Sequence, residues 1–433
     1  MVSAPSKDGY SLSTPSDPSR SVFFGWSIVG FTFMTQFTVG GMFYTYGVLQ
    51  KPLSEALEVD RFAVSLAFSL QTLVVAVLSP WVGKLILRTP IRKVLAFGLA
   101  ALLLGIVGFG QVRHLWHLYL AFGLLLAVAS TLIGPLPSNA MIANWFVKRR
   151  GTALGISQLG ISISGAVMVP IVSWLVETQG WRWAVTSMGL GLSAVLIPLV
   201  WKVAVFRPED KGLLPDGQGV ADSADGRIEP VSAWTFARAL RDRRIWLLVA
   251  IVGPSFFGVG AVLLALHAHF TDMGLSAAQA SSVVALATLM AALAKPLFGV
   301  LADVLNQRLL MAAALASQIV GLSLIVMLAN PAGLMVAAFF YGLGYGAGMP
   351  MWTVFIGTLF GRAAFARVMG LMTPLTTPFT LFGFPFASLV FDATGSYQAA
   401  FVTVIVGIVL SIGAVGLLRL PEVSVARAGA PAR

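Results

Sequence analysis

One lysine stands alone in a long apolar stretch of the sequence. Lys295 lies eight residues before Asp303, which marks the predicted end of the same segment. Eight helical residues rise roughly 12 Å, close to half of a bilayer core that is roughly 30 Å thick. Placing an ammonium group at that depth costs about 2.5–3.5 kcal/mol of free energy on insertion scales. Charged residues inside a membrane therefore usually mark functional sites. Lys295 is therefore the leading candidate for binding an anionic group. The alternative is a structural lysine that is hydrogen-bonded to carbonyls or hydroxyls of neighbouring helices.

Histidines are the candidates for carrying a proton, because all 17 acidic residues fall in tails, loops or helix ends. His267 and His269 lie near the predicted outer end of one apolar segment, and histidine titrates near physiological pH. Two residues apart on a helix they point about 200° from each other, so they cannot share one metal ion. The alternative for each is an interfacial histidine with a local hydrogen bond. No metal site and no cofactor are expected.

Four further polar side chains are the preferred candidates for lining a substrate cavity, since amides and phenols can donate hydrogen bonds to a carboxylate. They are Tyr44, Asn139, Gln158 and Tyr345. Such polar positions in apolar helices either line a cavity or hold neighbouring helices together. The sequence leaves both interpretations open.

These residues lie in runs long enough to cross a membrane. Only 10% of the 433 residues are charged, against about 25% in soluble domains. A spanning helix needs roughly 20 mostly apolar residues, so the sequence predicts an all-α membrane protein with twelve transmembrane helices. The predicted spans are 23–49, 62–86, 94–112, 115–142, 152–176, 183–204, 245–270, 277–301, 309–329, 332–359, 367–391 and 397–418.

Five regions follow from these spans. Residues 1–21 are predicted to form a disordered tail, 22–205 and 245–420 two six-helix halves, 206–244 a central loop, and 421–433 a second tail. Most of the 28 Lys and Arg residues lie in loops on one side, which by the positive-inside rule is the cytoplasm. The sequence therefore predicts a multi-pass protein of the cell membrane with both termini cytoplasmic. This distribution accounts for the net charge of +11 without nucleic acid.

An internal repeat relates the two halves. Five glycine or proline pairs and one serine pair recur at an offset of about 215 residues, among them Gly83 with Gly299 and Gly155 with Gly370. Glycine and proline constrain the backbone, so their shared spacing indicates shared helix geometry. Six spans bring the chain back to the same side, which makes the repeats parallel. Parallel repeats place a substrate site between the halves near the midplane.

Several motifs resemble those of the major facilitator superfamily. The Gly299–Asp303 segment is similar to the family's conformational loop motif. Its counterpart keeps Gly83 and Arg88 but has Leu87 where the family usually has Asp. The 144–151 segment, Asn-Trp-Phe-Val-Lys-Arg-Arg-Gly, resembles the monocarboxylate transporter and oxalate:formate antiporter branch. The resemblance implies a transporter that works by alternating access. It also places Lys295 where monocarboxylate transporters carry a substrate-related basic residue, and one cation suits a monoanion.

The predicted function is secondary active transport of a small organic anion, a monocarboxylate in the leading version, with a proton as a candidate coupled ion. The alternatives are efflux of hydrophobic or drug-like compounds and a non-transporting membrane sensor. No phosphate-loop sequence or hydrolase signature is present, so the chain is not expected to be an ATP-driven pump or an enzyme. The expected partners are the anion, protons and the lipid bilayer, with the monomer as the functional unit.

Overall fold

The computed structural model describes residues 23–217, 236–263 and 265–420, and all regular secondary structure in these residues is helical. The predicted tails 1–21 and 421–433 and part of the central loop lie outside the described residues. The first half contains six long helices. They are α1 (Gly25–Leu57), α2 (Arg61–Arg88), α3 (Ile91–Gly110), α4 (Leu115–Trp145), α5 (Arg150–Gln179) and α6 (Trp181–Val203).

The second half repeats this count of six. Helix α7 begins with Arg243–Gly258 and continues through a π-helical segment, Val259–Leu263, to Leu266–Asp272. The remaining helices are α8 (Ala277–Val304), α9 (Gln307–Met327), α10 (331–360), α11 (362–394) and α12 (Gln398–Leu417). Helices α10 and α11 run end to end through Pro331–Thr394, and Gly361, with φ of 70°, breaks the helical path between them. That left-handed backbone conformation favours glycine.

Ten described helices are long and apolar enough to cross a membrane. The 64-residue stretch Pro331–Thr394 counts once among them although it holds two helices. Helix α1, with 33 residues, is also long enough to span. Together these give the twelve predicted spans, and the prediction of an all-α membrane protein is confirmed.

Short polar side chains at the turns define where several helices begin. The side chain of Asp60 accepts a hydrogen bond from the Ala63 N–H at 2.7 Å, and that of Asn330 accepts one from the Gly333 N–H at 2.7 Å. Before α8, Ser276 and Gln279 cap each other's backbone N–H groups. Each cap satisfies donors that a helix start would otherwise leave unpaired.

The two halves approach each other along two helix pairs that the repeat relates. A Cβ atom on Gly155 in α5 would lie 2.5 Å from the carbonyl oxygen of Lys295 in α8. A Cβ atom on Gly83 in α2 would lie 2.5 Å from the carbonyl oxygen of Ala366 in α11. Gly299, the predicted repeat partner of Gly83, packs likewise against the backbone of Gly151. The same helix contact is therefore built twice, as the offset of about 215 residues predicts.

Both close contacts lie toward one end of the bundle. We call this end the basic face; it carries the turns at 88–91, 145–150, 304–307 and 360–362, with Arg88, Lys148, Arg149 and Arg362 among their residues. The first described part of the central loop also packs here. Asp216 accepts hydrogen bonds from the N–H groups of Val147 at 2.9 Å and Lys148 at 2.8 Å. Glu209 forms an ion pair with Arg362 at 2.6 Å, which connects the central loop to the second half.

Candidate functional site

Lys295 lies at the interface between the two halves. Its side chain is 6% exposed, and its Nζ donates a hydrogen bond to the Oγ of Ser162 at 2.5 Å. Ser162 belongs to α5 in the first half and Lys295 to α8 in the second. The cation therefore joins the halves, and this single described hydrogen bond is to a neutral hydroxyl. The hydroxyl partner expected of a structural lysine is therefore present. The ammonium group also has further donors, so it can bind a ligand as well.

The lysine side chain extends away from the basic face. Its backbone packs against Gly155, but its Nζ meets Ser162, which is seven residues, roughly 10 Å, farther along α5. This direction follows from helix geometry, because side chains tilt toward the N-terminus of their own helix, and α8 begins at the opposite face. The charged group thus lies beyond the closely packed backbone of α5 and α8.

One of the two predicted tyrosines lies next to this position. The ring of Tyr44 lies against Gly165, about one turn beyond Ser162, with a ring carbon 3.0 Å from the place of a Cβ atom on that glycine. Tyr44 is 36% exposed, so part of its side chain lies at a surface of the molecule. Tyr345 is in α10 and stacks on Tyr341 with ring centroids 6.3 Å apart.

Gln158 lies on the other side of Ser162, toward the basic face. Its side chain is 5% exposed, and its Nε2 donates to the Oγ1 of Thr353 in α10 at 3.1 Å. Gln158 is one turn before Ser162 in α5. This bond is a second polar contact between the halves, and it lies closer to the basic face than the Lys295 ammonium group does. Gln158 thus lies between the Lys295 ammonium group and the basic face.

Asn139 belongs to a polar cluster inside the first half. Its Oδ1 accepts a hydrogen bond from the Nε2 of Gln36 at 3.5 Å, and the same Nε2 donates to Ser157 at 2.6 Å. Ser157 donates to Thr32 at 2.9 Å. All four side chains are at most 2% exposed, so this cluster holds helices α1, α4 and α5 together. Its contacts do not include Lys295.

This placement gives a test of Asn139. We expect Asn139→Ala to lower the melting temperature, because losing a partner in a buried polar cluster costs about 1–3 kcal/mol. The KM for substrate should change little. Thermal unfolding of the purified protein and uptake kinetics measure the two effects. A KM raised several-fold at an unchanged melting temperature would contradict this expectation and would place Asn139 in the substrate site.

The two predicted proton carriers are in the last part of α7. The side chain of His267 lies outside the described residues. His269 is 4% exposed, and its ring contacts the ring of Phe270 and, in and next to α12, those of Tyr397 and Phe401; the Phe401 centroid is 5.0 Å away. Its Nε2 has no hydrogen-bond partner among the described residues.

Asp303, in the predicted loop motif, binds the start of α5. Its carboxylate accepts hydrogen bonds from the backbone N–H groups of Gly151 at 2.6 Å and Thr152 at 2.8 Å, and from the Thr152 hydroxyl at 2.6 Å. Carboxylates stabilise helix N-termini, both by satisfying unpaired N–H groups and through the helix dipole. Because Asp303 and α5 belong to different halves, these bonds connect the halves at the basic face.

The first-half copy of the motif is different. Gly83 makes the close helix contact, but Leu87 lies where the repeat would place a residue like Asp303, and it is partly buried. Arg88 is exposed, and the structure describes no hydrogen bond or ion pair for it. An apolar Leu87 side chain cannot accept hydrogen bonds from the start of α11. Carboxylate bonding of this kind is therefore present in only one of the two related contacts.

Three contributors to this region were not predicted as site residues: Ser162, Thr353 and Asp216. A serine or threonine in an apolar helix has no sequence signature that separates a site residue from one bonded to its own helix. Asp216 lies in the Pro215–Gly217 turn, and its bonds to 147–149 become visible only when the loop is placed. Each acts through a partner that is distant in sequence.

Comparisons with known proteins agree with this architecture. A family model described as the Major Facilitator Superfamily matches residues 32–269 and 251–432. The chain is 27% identical over 403 residues to monocarboxylate transporter 13 from Bos taurus, covering 92% of this chain and 89% of that protein. It is 29% identical over 393 residues to monocarboxylate transporter 11 from Homo sapiens, covering 87% of this chain and 79% of that protein.

Two solved structures share the fold. The proton:xylose symporter XylE, bound to 6-bromo-6-deoxy-D-glucose, has a TM-score of 0.73 at 13% identity, over 90% of this chain and 94% of that chain. The transporter FucP in the outward conformation has a TM-score of 0.67 at 12% identity, over 90% and 99% of the two chains. Similarity at this level of identity concerns the fold alone.

Proposed function

The chain belongs to the major facilitator superfamily, a family of membrane transporters rather than enzymes, and on that premise we propose that it transports a small monocarboxylate by alternating access. The observation that carries the proposal is Lys295, a buried cation at the interface between the halves whose described hydrogen bond is to the neutral hydroxyl of Ser162. A buried charge is costly unless it is paired. A carboxylate that binds there supplies the missing charge.

The site favours one negative charge. Lys295 is the cation that the structure describes in contact with Ser162, and the ring of Tyr44 lies against Gly165, about one turn beyond Ser162. Arg150, the buried basic residue of α5, lies instead at the basic face near Asp303 and Asp216. One cation matches one carboxylate, and the tyrosine ring provides apolar surface for the remainder of a small solute. The relation to monocarboxylate transporters supports the same class of substrate.

Alternating access is supported by the position of the contacts between the halves. The Asp303 bonds, the Gln158–Thr353 bond and the close approaches of Gly83 and Gly155 all lie toward the basic face from the Lys295 ammonium group. Lysine and arginine collect on cytoplasmic loops, which makes the basic face the cytoplasmic side. The structure then corresponds to a state that is closed to the cytoplasm, with Tyr44 exposed toward the outside.

Uptake into proteoliposomes tests the proposal. Purified protein is reconstituted and supplied with labelled monocarboxylates, dicarboxylates, neutral amides of the same size and hydrophobic cations. We expect uptake of a monocarboxylate and little uptake of its uncharged amide, because the amide cannot pair with Lys295. Transport of hydrophobic cations without transport of any carboxylate would reject the anion site and favour efflux of drug-like compounds. Transport of none of these solutes would favour a sensor.

Coupling to protons gives a separate prediction. The structure describes no carboxylate beside Lys295, and His269 has a buried nitrogen without a described partner, so this histidine is the proposed carrier. We expect His269→Gln to abolish the stimulation of uptake by an inward proton gradient while uptake down a carboxylate gradient continues. His117→Gln is the matched control, since the Nδ1 of His117 only accepts bonds from the backbone at 113–114. Unchanged stimulation in His269→Gln would reject this role.

A further inference from the structure

We propose that Ser162 is the second donor of the anion site, binding one oxygen of the substrate carboxylate while Lys295 binds the other. This inference rests on the proposed function, since it concerns how the same anion is held. The two donors belong to opposite halves, Ser162 to α5 and Lys295 to α8. A carboxylate held by both would therefore connect the halves directly.

The hydrogen-bonding capacity of the two groups leaves room for a ligand. The Lys295 ammonium has three donors and no acceptor, and one donor is used in the 2.5 Å bond to Ser162. In that bond the serine oxygen is the acceptor, so its own O–H remains available. The structure describes no acceptor for this O–H. A substrate oxygen that approaches Lys295 thus finds a free hydroxyl donor beside the ammonium group.

Ser162 also differs from many hydroxyl side chains of the apolar helices. A serine or threonine in such a helix commonly donates to a backbone carbonyl three or four residues earlier. Ser164 does so with Ile161 at 2.6 Å, Thr131 with Ala127 at 2.8 Å, and Ser193 with Gly189 at 2.8 Å. The described bond of Ser162 is instead to a cation of the other half. Its hydroxyl is directed to the interface rather than to its own backbone.

The surroundings of Ser162 fit an acid with a short apolar part. Gly165, about one turn farther along α5, has no side chain, and the ring of Tyr44 occupies the space beside it. A carboxylate at Lys295 and Ser162 would direct the remainder of the solute toward this ring. Charged-group hydrogen bonds are among the stronger ones, so the second donor should contribute measurably to affinity.

The test compares Ser162→Ala with two other variants at and near this position. Ser162→Thr keeps the hydroxyl, and Ser164→Ala removes a hydroxyl that bonds only to its own helix. The readouts are the Kd of purified protein for the monocarboxylate found by uptake, measured by calorimetry, and the KM of uptake. We expect Ser162→Ala to weaken binding about tenfold or more. Ser162→Thr and Ser164→Ala should stay close to the wild-type affinity.

Other outcomes separate this inference from the proposed function. If Ser162 served only as a hydrogen-bond acceptor for Lys295, its removal would leave the ammonium group without this partner. Ser162→Ala would then bind substrate as well as the wild type or better. That result, together with lost binding in Lys295→Met, overturns the role of Ser162 and leaves the proposed function in place. Wild-type binding in Lys295→Met overturns both. Ser162→Cys, with a similar shape and a weaker donor, should fall between alanine and wild type.

Discussion

Lys295→Met is expected to abolish monocarboxylate uptake without destabilising the protein. The carboxylate loses its only described cationic partner, and hydrogen bonds to charged groups contribute about 1.5–3 kcal/mol each. If the anion makes two such bonds with the ammonium group, kcat/KM for uptake should fall about 100-fold or more. Lys295→Arg keeps the charge and should retain part of the activity, although its planar group donates in different directions. Initial rates of uptake in proteoliposomes give these values.

The effect of the same change on stability makes the prediction specific. A cation near the membrane midplane costs about 2.5–3.5 kcal/mol on insertion scales, and methionine removes that cost while filling a similar volume. We therefore expect the melting temperature of Lys295→Met without substrate to equal or exceed that of the wild type. Lys84→Met is the control for loss of a lysine, because Lys84 lies exposed beside Trp81. Full uptake by Lys295→Met would refute the anion site, and a lower melting temperature would indicate a structural lysine.

Asp303→Asn is expected to open the basic face and to slow transport by about tenfold or more. The carboxylate accepts three hydrogen bonds from Gly151 and Thr152, and an amide has one oxygen and no charge with which to replace it. Each charge-assisted bond lost costs about 1.5–3 kcal/mol, and a shift of a few kcal/mol moves the balance between two states by a factor of 10 or more. The first half offers no compensating bond, because Leu87 occupies the related position.

The absence of cysteine from the sequence makes this opening measurable. Thr353 is fully buried next to Gln158, so a single Thr353→Cys change places a thiol behind the closed basic face. We expect a membrane-impermeant thiol reagent, applied from the basic side, to label Thr353→Cys much faster when Asp303→Asn is also present. Asp392→Asn, at an exposed acidic residue of the opposite face, is the control. Equal labelling with and without Asp303→Asn would contradict the role of Asp303 in closure.

Several parts of the site could be inferred from residue spacing. The spacing of eight residues from Lys295 to Asp303 predicts that the cation lies deep in the membrane, because an α-helix has a fixed rise. The offset of about 215 residues predicted that Gly83 and Gly299 would occupy related positions, and each lies at a close helix contact. Both inferences depend on geometry along one helix or on comparison of two segments. Neither requires knowledge of which helices are neighbours.

The polar candidates show where such reasoning reached its limit. Asn139 and Gln158 are both amides in apolar helices, and their residue type and spacing made both of them candidates for lining a cavity. The structure pairs Asn139 with Gln36 inside one half and Gln158 with Thr353 across the two halves. A transmembrane helix buries polar groups both at helix contacts and in cavities, so composition and periodicity do not separate the two uses.

The sequence by itself therefore determined the helices and the repeat, because these follow from apolar length and residue spacing, and it predicts the depth of Lys295 from the fixed rise of a helix. Only the tertiary structure decided the partners. Ser162 is 133 residues from Lys295, and Asp303 is 152 residues from Gly151. The rotation of each helix about its axis and the choice of its neighbours set these pairs. Both depend on packing between helices, which no single segment specifies.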